Sequence, residues 1–384
     1  MNSRERLLAA INHKEPDRVP FDLGGTVVTS IHVKAYQALR EYLGLPSLQP
    51  VFSDVIQQVV RVDDDVMERL GVDVRNVSYQ ARVTARSAVQ DRGNYTCLYD
   101  ELKVGWQMPK DGGWYYDMFD NPLAGPVTEA DVEGFAWPDP LAPSRFTGLR
   151  DAAHRAIAEE QRAVVVGSIS AGIMEVSSRL RGFQDYFVDF AANPKLLGRI
   201  MDRVLEMQLA YWGRIFEILG DDVDVVQSAD DIAGQHSLLI SPRSYRAMVK
   251  PRHKELFDFI HAHSKAKIFF HSCGAIRPLI PDLIEIGLDI LNPVQVSAAG
   301  MDTTALKREF GKDLTFWGGG VDTQQVLGSG TPHQVREEVR RRLEDLMPGG
   351  GFVFAAVHNI QGNVPPQNIM AMWETLQEFG TRCT

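Results

Sequence analysis

Cysteine is scarce: Cys97, Cys273 and Cys383 are the whole complement of a 384-residue chain. An odd, sparse set is no disulfide scaffold, so each thiol must be judged singly. Net positive charge is lacking too. Forty Lys and Arg against 50 Asp and Glu give a formal charge of −10, which withdraws the basic face a nucleic-acid partner needs. The cluster Arg336, Arg340, Arg341 and Arg342 reads as the solvated face of a helix beginning near His333. No run of about 18 apolar residues is present to span a bilayer. The opening MNSRERLLAAINHKEPDRVP has no apolar centre of a secretory signal. A cytoplasmic protein with no membrane and no nucleic-acid partner is expected.

What is present is an alternation. Short β-branched runs, AVVVGSIS (163–170), DVVQSADD (224–231), KIFFHSC (267–273), LDILNPVQ (288–295), LTFWGGG (314–320) and GFVFAAVH (351–358), are separated by amphipathic helical stretches such as PKLLGRIMDRVLEMQLAYWGRIFEIL and PHQVREEVRRRLEDLM. RVPFDLGG and GVDVRNVS near the amino terminus supply two more strands. Eight strands with intervening helices predict an α/β fold, a (β/α)8 TIM barrel, as a single domain over 1–384; an open doubly wound sheet is the alternative. Residues 79–140 alternate polar and apolar with Gly and Asn-Pro breaks, which predicts a β-hairpin insert or lid. Trp106, Trp114, Tyr115, Tyr116 and Phe119 would give that insert an aromatic surface.

In such a barrel the working residues sit at the carboxyl ends of the strands. Polar residues collect there: Asp230 and Asp231, His271 and Cys273, Asn292 and Gln295, the turn Gly318-Gly319-Gly320 with Asp322, and His358 with Asn359 and Gln361. Residues two apart on a strand share a face, so His271 and Cys273 point together. Imidazole with thiolate suits zinc, which in catalytic sites takes three protein ligands and an open position. His358 is the best third candidate, ahead of Asp230, Asp231 and His236. A Cys/His nucleophile pair and a merely buried, satisfied His and Cys are the competing readings. The glycine turn lacks the Lys-Ser/Thr of a phosphate loop and implies only close approach of backbone to a ligand. Cys97 and Cys383 read as idle.

The stretches SRERLLAAINHKEPDRVPF, RLRGFQDYFVDFAANPKLL, ISPRSYRAMVKPRHKELFDFIH, HSCGAIRPLIPDLIEIGLDILNPVQ, LTFWGGGVDTQQVLGSGTPHQVREEV and VPPQNIMAMWETLQEFG together resemble the uroporphyrinogen decarboxylase superfamily. Two branches of it are TIM barrels with different chemistry. The true decarboxylase carries an arginine-bearing segment after its first strand; this chain has no arginine from Phe21 to Tyr36, although VFSDVI with Asp54 is similar to the decarboxylase's aspartate segment. The zinc-dependent corrinoid methyltransferases carry H-x-C-G and a later cysteine. His271, Cys273 and Gly274 match, and His358 stands where the later cysteine would fall, a position that is a histidine in the true decarboxylases as well, so His358 by itself fits either branch.

The resemblance implies a Zn2+ held by His271, Cys273 and His358, and a corrinoid carried by a separate partner protein, since no D-x-H-x-x-G segment is found in this chain. One thiolate and two neutral imidazoles leave zinc about +1, a stronger Lewis acid than a site with two thiolates. A methyltransferase of the corrinoid-dependent demethylase type, taking methyl from a small O- or N-methyl donor, is therefore expected; transfer to a thiol is its near rival. Asp231 would be the catalytic or ligand-orienting carboxylate, and Asp230, Asn292, Gln295 and Asp322 would contact substrate. A metal-free decarboxylase or lyase and a non-catalytic binding paralogue are the alternatives, and a homodimer is compatible with either.

Overall fold

The computed structural model describes residues 1–78 and 89–381. The first part of the insert, 79–88, and Cys383 lie outside them. Seven strands form one parallel sheet in sequential order. We number them β1 (Val74–Asn76), β2 (Ala163–Val166), β3 (Val225–Ala229), β4 (Lys267–His271), β5 (Ile290–Asn292), β6 (Thr315–Trp317) and β7 (Phe352–Val353). They are short and nearly all buried, as strands covered on both faces must be.

The segment around Phe21 joins the two edges of this sheet. Phe21 bridges Phe354 in parallel; the Asp22 N–H donates to the Phe354 carbonyl at 2.9 Å, and the Asp73 N–H donates to the Phe21 carbonyl at 2.9 Å. Seven of the eight expected strands are thus present as strands, and the expected first one, RVPFDLGG, is reduced to a single bridge at Phe21 that joins the sheet's edges into a barrel-like ring.

Helices follow the strands on the outside. The longest, Pro194–Leu219, opens with proline at its first position and buries Leu197, Ile200, Met201, Val204, Gln208, Tyr211, Trp212 and Ile215 along one stripe, the spacing of an amphipathic helix against a core. The helices Asp64–Leu70, Glu129–Gly134, Leu149–Ala158, Ile173–Arg181, Phe183–Ala192 and Pro366–Phe379 add to those read from periodicity. In the helix Pro332–Leu346 the arginine cluster divides. Arg340 and Arg341 are exposed, Arg336 is half-buried beside Glu374, and Arg342 is buried and pairs with Glu338 at 2.8 Å.

At the closed end, Asp73 is fully buried and accepts from Arg6 and Arg18, each at 2.7 Å, and from the Phe21 N–H at 2.8 Å. The amino-terminal segment is pinned to the first two staves by this one carboxylate.

The described part of the insert is an antiparallel meander of Gln90–Arg92, Tyr95–Tyr99, Gly105–Pro109 and Asp117–Asp120. Its aromatics do not make a common surface: Trp106 and Tyr116 are buried, while Trp114 and Tyr115 are exposed. Trp106 donates its indole N–H to Asp100 at 2.9 Å and lies beneath the Arg179 guanidinium, 5.3 Å from ring centre. The Asn121 side chain donates to the Arg179 carbonyl at 2.7 Å. The sheet is therefore fastened to the helix Ile173–Arg181, at the mouth of the barrel.

Candidate metal centre

His271 ends β4, and Cys273 follows two residues later. The alternation of an extended chain carries both to one side, and their atoms meet: Cys273 Sγ lies 3.5 Å from His271 Nε2. His358 arrives from the loop after β7, with its ring centre 5.1 Å from that of His271. One ligand atom from each of the three lies within 4.8 Å of the others. His358 holds φ at +67°, a left-handed backbone that costs a non-glycine residue about 1 kcal/mol and turns its ring inward.

Each imidazole is oriented by an asparagine. His271 Nδ1 is 2.5 Å from Asn292 Oδ1, and Asn292 Nδ2 donates to the Trp317 carbonyl at 2.7 Å. The carbonyl partner forces the amide nitrogen to that side, so the oxygen faces His271 and Nδ1 carries the proton. Nε2 is left with its lone pair toward Cys273. His358 repeats the arrangement: Nδ1 is 2.9 Å from Asn359 Oδ1, whose own Nδ2 donates to Gln57 at 2.9 Å.

This donor set fits zinc. Zinc–nitrogen and zinc–sulfur bonds at a tetrahedral angle separate the two ligand atoms by about 3.6 Å, close to the 3.5 Å between His271 Nε2 and Cys273 Sγ. Histidine ligands that give their other N–H to an amide or carboxylate oxygen are the usual supporting arrangement. Burial, with His271 nearby, pushes His358 down to about 4, so its lone pair is available at ordinary pH. Burial, together with the carboxylates of Asp231 and Glu175, lifts the Cys273 thiol well above its ordinary value. It stays protonated until a cation displaces the proton.

The other expected site residues divide. Asp231 belongs to the cluster: Oδ1 accepts from the Cys273 N–H at 2.8 Å and stands 3.9 Å from His271 Nε2, while the carboxylate remains partly exposed. Asn292 is fully buried behind His271. Gln295 accepts from the Gly274 N–H at 2.7 Å and donates to Gln235 at 2.7 Å, so it supports the turn after Cys273. Asp322 is buried and accepts from the Gln324 N–H at 2.9 Å. Asp230 is fully buried, accepting from the Glu175 N–H at 2.8 Å and pairing with His253 at 2.7 Å. His236 stands apart, on the wall of an open cavity of about 820 Å³.

The glycine turn serves packing. At Gly318, φ is +106°, and a Cβ would lie 2.5 Å from the Pro293 carbonyl and 3.2 Å from Asn292 Nδ2. Close approach there is to the support of His271 rather than to a ligand.

Two further residues at the mouth lie on a helix rather than at a strand end. Glu175 and Arg179 form an i,i+4 ion pair on the helix Ile173–Arg181. Burial raises the Glu175 carboxyl above its ordinary value, with Asp231 and Asp230 adding to the rise and Arg179 and His271 opposing it. Their spacing, four apart at the start of an amphipathic segment after a strand, was the available signal.

Three similarities bear on what this arrangement is. Over its full length the chain is similar to a methyltransferase from Methanosarcina mazei, with a TM-score of 0.67, 18% identity and 99% of each chain covered. That likeness shows the fold. A uroporphyrinogen decarboxylase from Pseudoalteromonas translucida (strain TAC 125) is 27% identical over 181 residues, 44% of this chain; the chain spans about half the length of that relative, 48%. The model of the uroporphyrinogen decarboxylase (URO-D) family matches residues 118–379, which hold His271, Cys273, His358 and both orienting asparagines. The chain belongs to the uroporphyrinogen decarboxylase family.

Proposed function

We propose that this protein is a methyltransferase that holds Zn2+ at His271, Cys273 and His358 and moves a methyl group between a small O- or N-methyl substrate and a corrinoid carried by a separate protein. The observation that carries this reading is the convergence of two tautomer-fixed imidazoles and one thiol within 4.8 Å at the barrel mouth. Zinc bound there would supply Lewis-acid chemistry, withdrawing charge from the substrate heteroatom that keeps the bonding pair when the methyl leaves.

The protein's own groups do the rest. Asn292 and Asn359 hold the imidazoles in direction. Asp231 fixes the Cys273 backbone through Oδ1, which also stands 3.9 Å from His271 Nε2. Glu175 and Arg179 line the adjoining wall, and the insert, through Trp106, covers that wall from outside. Such a partly enclosed mouth aligns donor and acceptor and limits water. Asp230, Gln295 and Asp322 are assigned to holding the strand-end loops, since their polar atoms are taken by the chain itself.

A metal-free decarboxylase is the second reading, favoured by the partial match to a uroporphyrinogen decarboxylase. Against it stands the stretch from Phe21 to Tyr36, which offers no arginine for substrate carboxylates. The deciding assay mixes the zinc-loaded protein with a reduced corrinoid protein and a panel of methyl ethers and methylamines, following the corrinoid spectrum and the demethylated product. Methyl transfer that disappears in His358→Ala supports the proposal. Carbon dioxide release from a carboxylic acid by metal-free protein would replace it with the second reading.

A further inference from the structure

A chain of hydrogen bonds leaves the metal cluster in the direction away from solvent. His271 Nδ1 meets Asn292 Oδ1 at 2.5 Å, Asn292 Nδ2 meets the Trp317 carbonyl at 2.7 Å, and the Trp317 indole N–H meets Asp22 Oδ2 at 2.8 Å. Every member is buried, and Asp22, Asn292 and Trp317 are almost wholly inaccessible. The chain crosses the barrel from β4 through β5 and β6 to the first stave.

Asp22 is fixed at the far end. Its Oδ1 accepts from the Gly25 N–H at 2.7 Å, and its backbone N–H is held by the Phe354 carbonyl at 2.9 Å. Trp317 is fixed in the middle, its ring edge-on to Phe269 with centroids 5.3 Å apart. Gly318 leaves no room for a Cβ between Asn292 and Pro293. Nothing in the chain is free to turn, so the direction of the His271 lone pair is set from the opposite wall.

We propose that Asp22 is a positioning residue for the metal centre, holding the Trp317 indole so that the Trp317 carbonyl fixes Asn292, and through it the tautomer and aim of His271. This rests on the zinc reading above. It adds a dependence that a barrel-packing carboxylate would not have: removing Asp22 should change metal affinity at a site three residues along the chain of contacts.

The test compares wild type, Asp22→Asn, Asp22→Ala and Trp317→Phe, each stripped and reloaded, by zinc competition against a chromophoric chelator and by the visible spectrum of the Co2+-substituted protein. Supporting groups behind a metal-bound histidine are worth about 10- to 100-fold in affinity. Asp22→Ala and Trp317→Phe are expected to weaken zinc about tenfold and to alter the cobalt spectrum, with the double variant no worse than either. Asp22→Asn, which keeps an oxygen for the indole but sets its amide nitrogen against the Gly25 N–H, is expected to retain more zinc affinity than Asp22→Ala. Wild-type affinity and spectrum in both folded Asp22→Ala and Trp317→Phe would overturn the inference; if Asp22→Ala fails to fold, Trp317→Phe alone decides it. Wild type that binds no stoichiometric zinc would instead overturn the reading beneath it.

Discussion

The carboxamide oxygen of Asn292 lies 2.5 Å from Nδ1 of His271, and the two residues are direct partners in the parallel register of β5 and β4. Register places the amide beside the imidazole, and the Trp317 carbonyl orients it. Asn292→Ala removes the acceptor that fixes the tautomer. Zinc affinity is expected to fall about 10- to 100-fold, read by chelator competition, with one zinc still bound at saturation. Unchanged affinity would show that the His271 tautomer is set elsewhere.

Metal uptake should release protons in a defined number. The Cys273 thiol is held protonated by burial and neighbouring carboxylates, whereas His358 is neutral above about pH 4. Binding zinc therefore expels about one proton from the thiol, and apparent affinity rises about tenfold per pH unit below the thiol's own titration. Calorimetry at pH 7 in buffers of different ionisation enthalpy measures that number directly. A value near zero would contradict thiolate ligation.

Asp22 gives a second pH signature, on stability. Burial raises its carboxyl from 3.8 to about 6, so between those values the folded chain binds the proton more tightly than the unfolded chain. The stabilising contribution is complete below about pH 4 and is lost as pH rises through 6, on the order of 2–3 kcal/mol in total. Urea unfolding of wild type and Asp22→Asn from pH 4.5 to 7 is expected to show wild type losing ground to the variant as pH rises. The opposite slope would mean that Asp22 is ionised in the fold at low pH.

At the closed end, Asp73→Ala leaves the buried Phe21 N–H without its acceptor and Arg18 with backbone carbonyls alone, while Arg6 keeps its pair with Asp17. Losing those buried hydrogen bonds costs about 1–3 kcal/mol, measurable by urea unfolding, while zinc affinity of the folded fraction should be unaltered. A cost below about 1 kcal/mol would show that the barrel closes without this carboxylate.

Much of this arrangement could be read from the residues alone, because two periodicities carry it. Alternation in a strand put His271 and Cys273 on one side, and the repeat of strand and helix placed His358 at the same end of the barrel. The long helix Pro194–Leu219 coincides with the apolar stripe seen in its sequence. What could not be read depends on register and packing between segments far apart in the chain. Asn292 ends a strand and is expected at the substrate, yet its pairing with His271 turns it behind that imidazole. Asp230 likewise ends a strand, but Gly172 lets the following helix approach so closely that its backbone caps the carboxylate: a Cβ on Gly172 would lie 1.6 Å from the Ala229 carbonyl. Trp106 and Tyr116 alternate like surface aromatics, and only the docking of the insert onto Arg179 and Ile56 buries them.

His271, Cys273 and His358 are proposed to hold one metal ion. Elemental analysis of the purified protein, beside Cys273→Ala and His358→Ala of matched fold, tests it most directly. About one zinc per wild-type chain is expected, with none retained by Cys273→Ala and a weakened, readily chelated ion in His358→Ala. Equal zinc in all three proteins, or a fully folded wild type that takes up none when zinc is supplied, would contradict it.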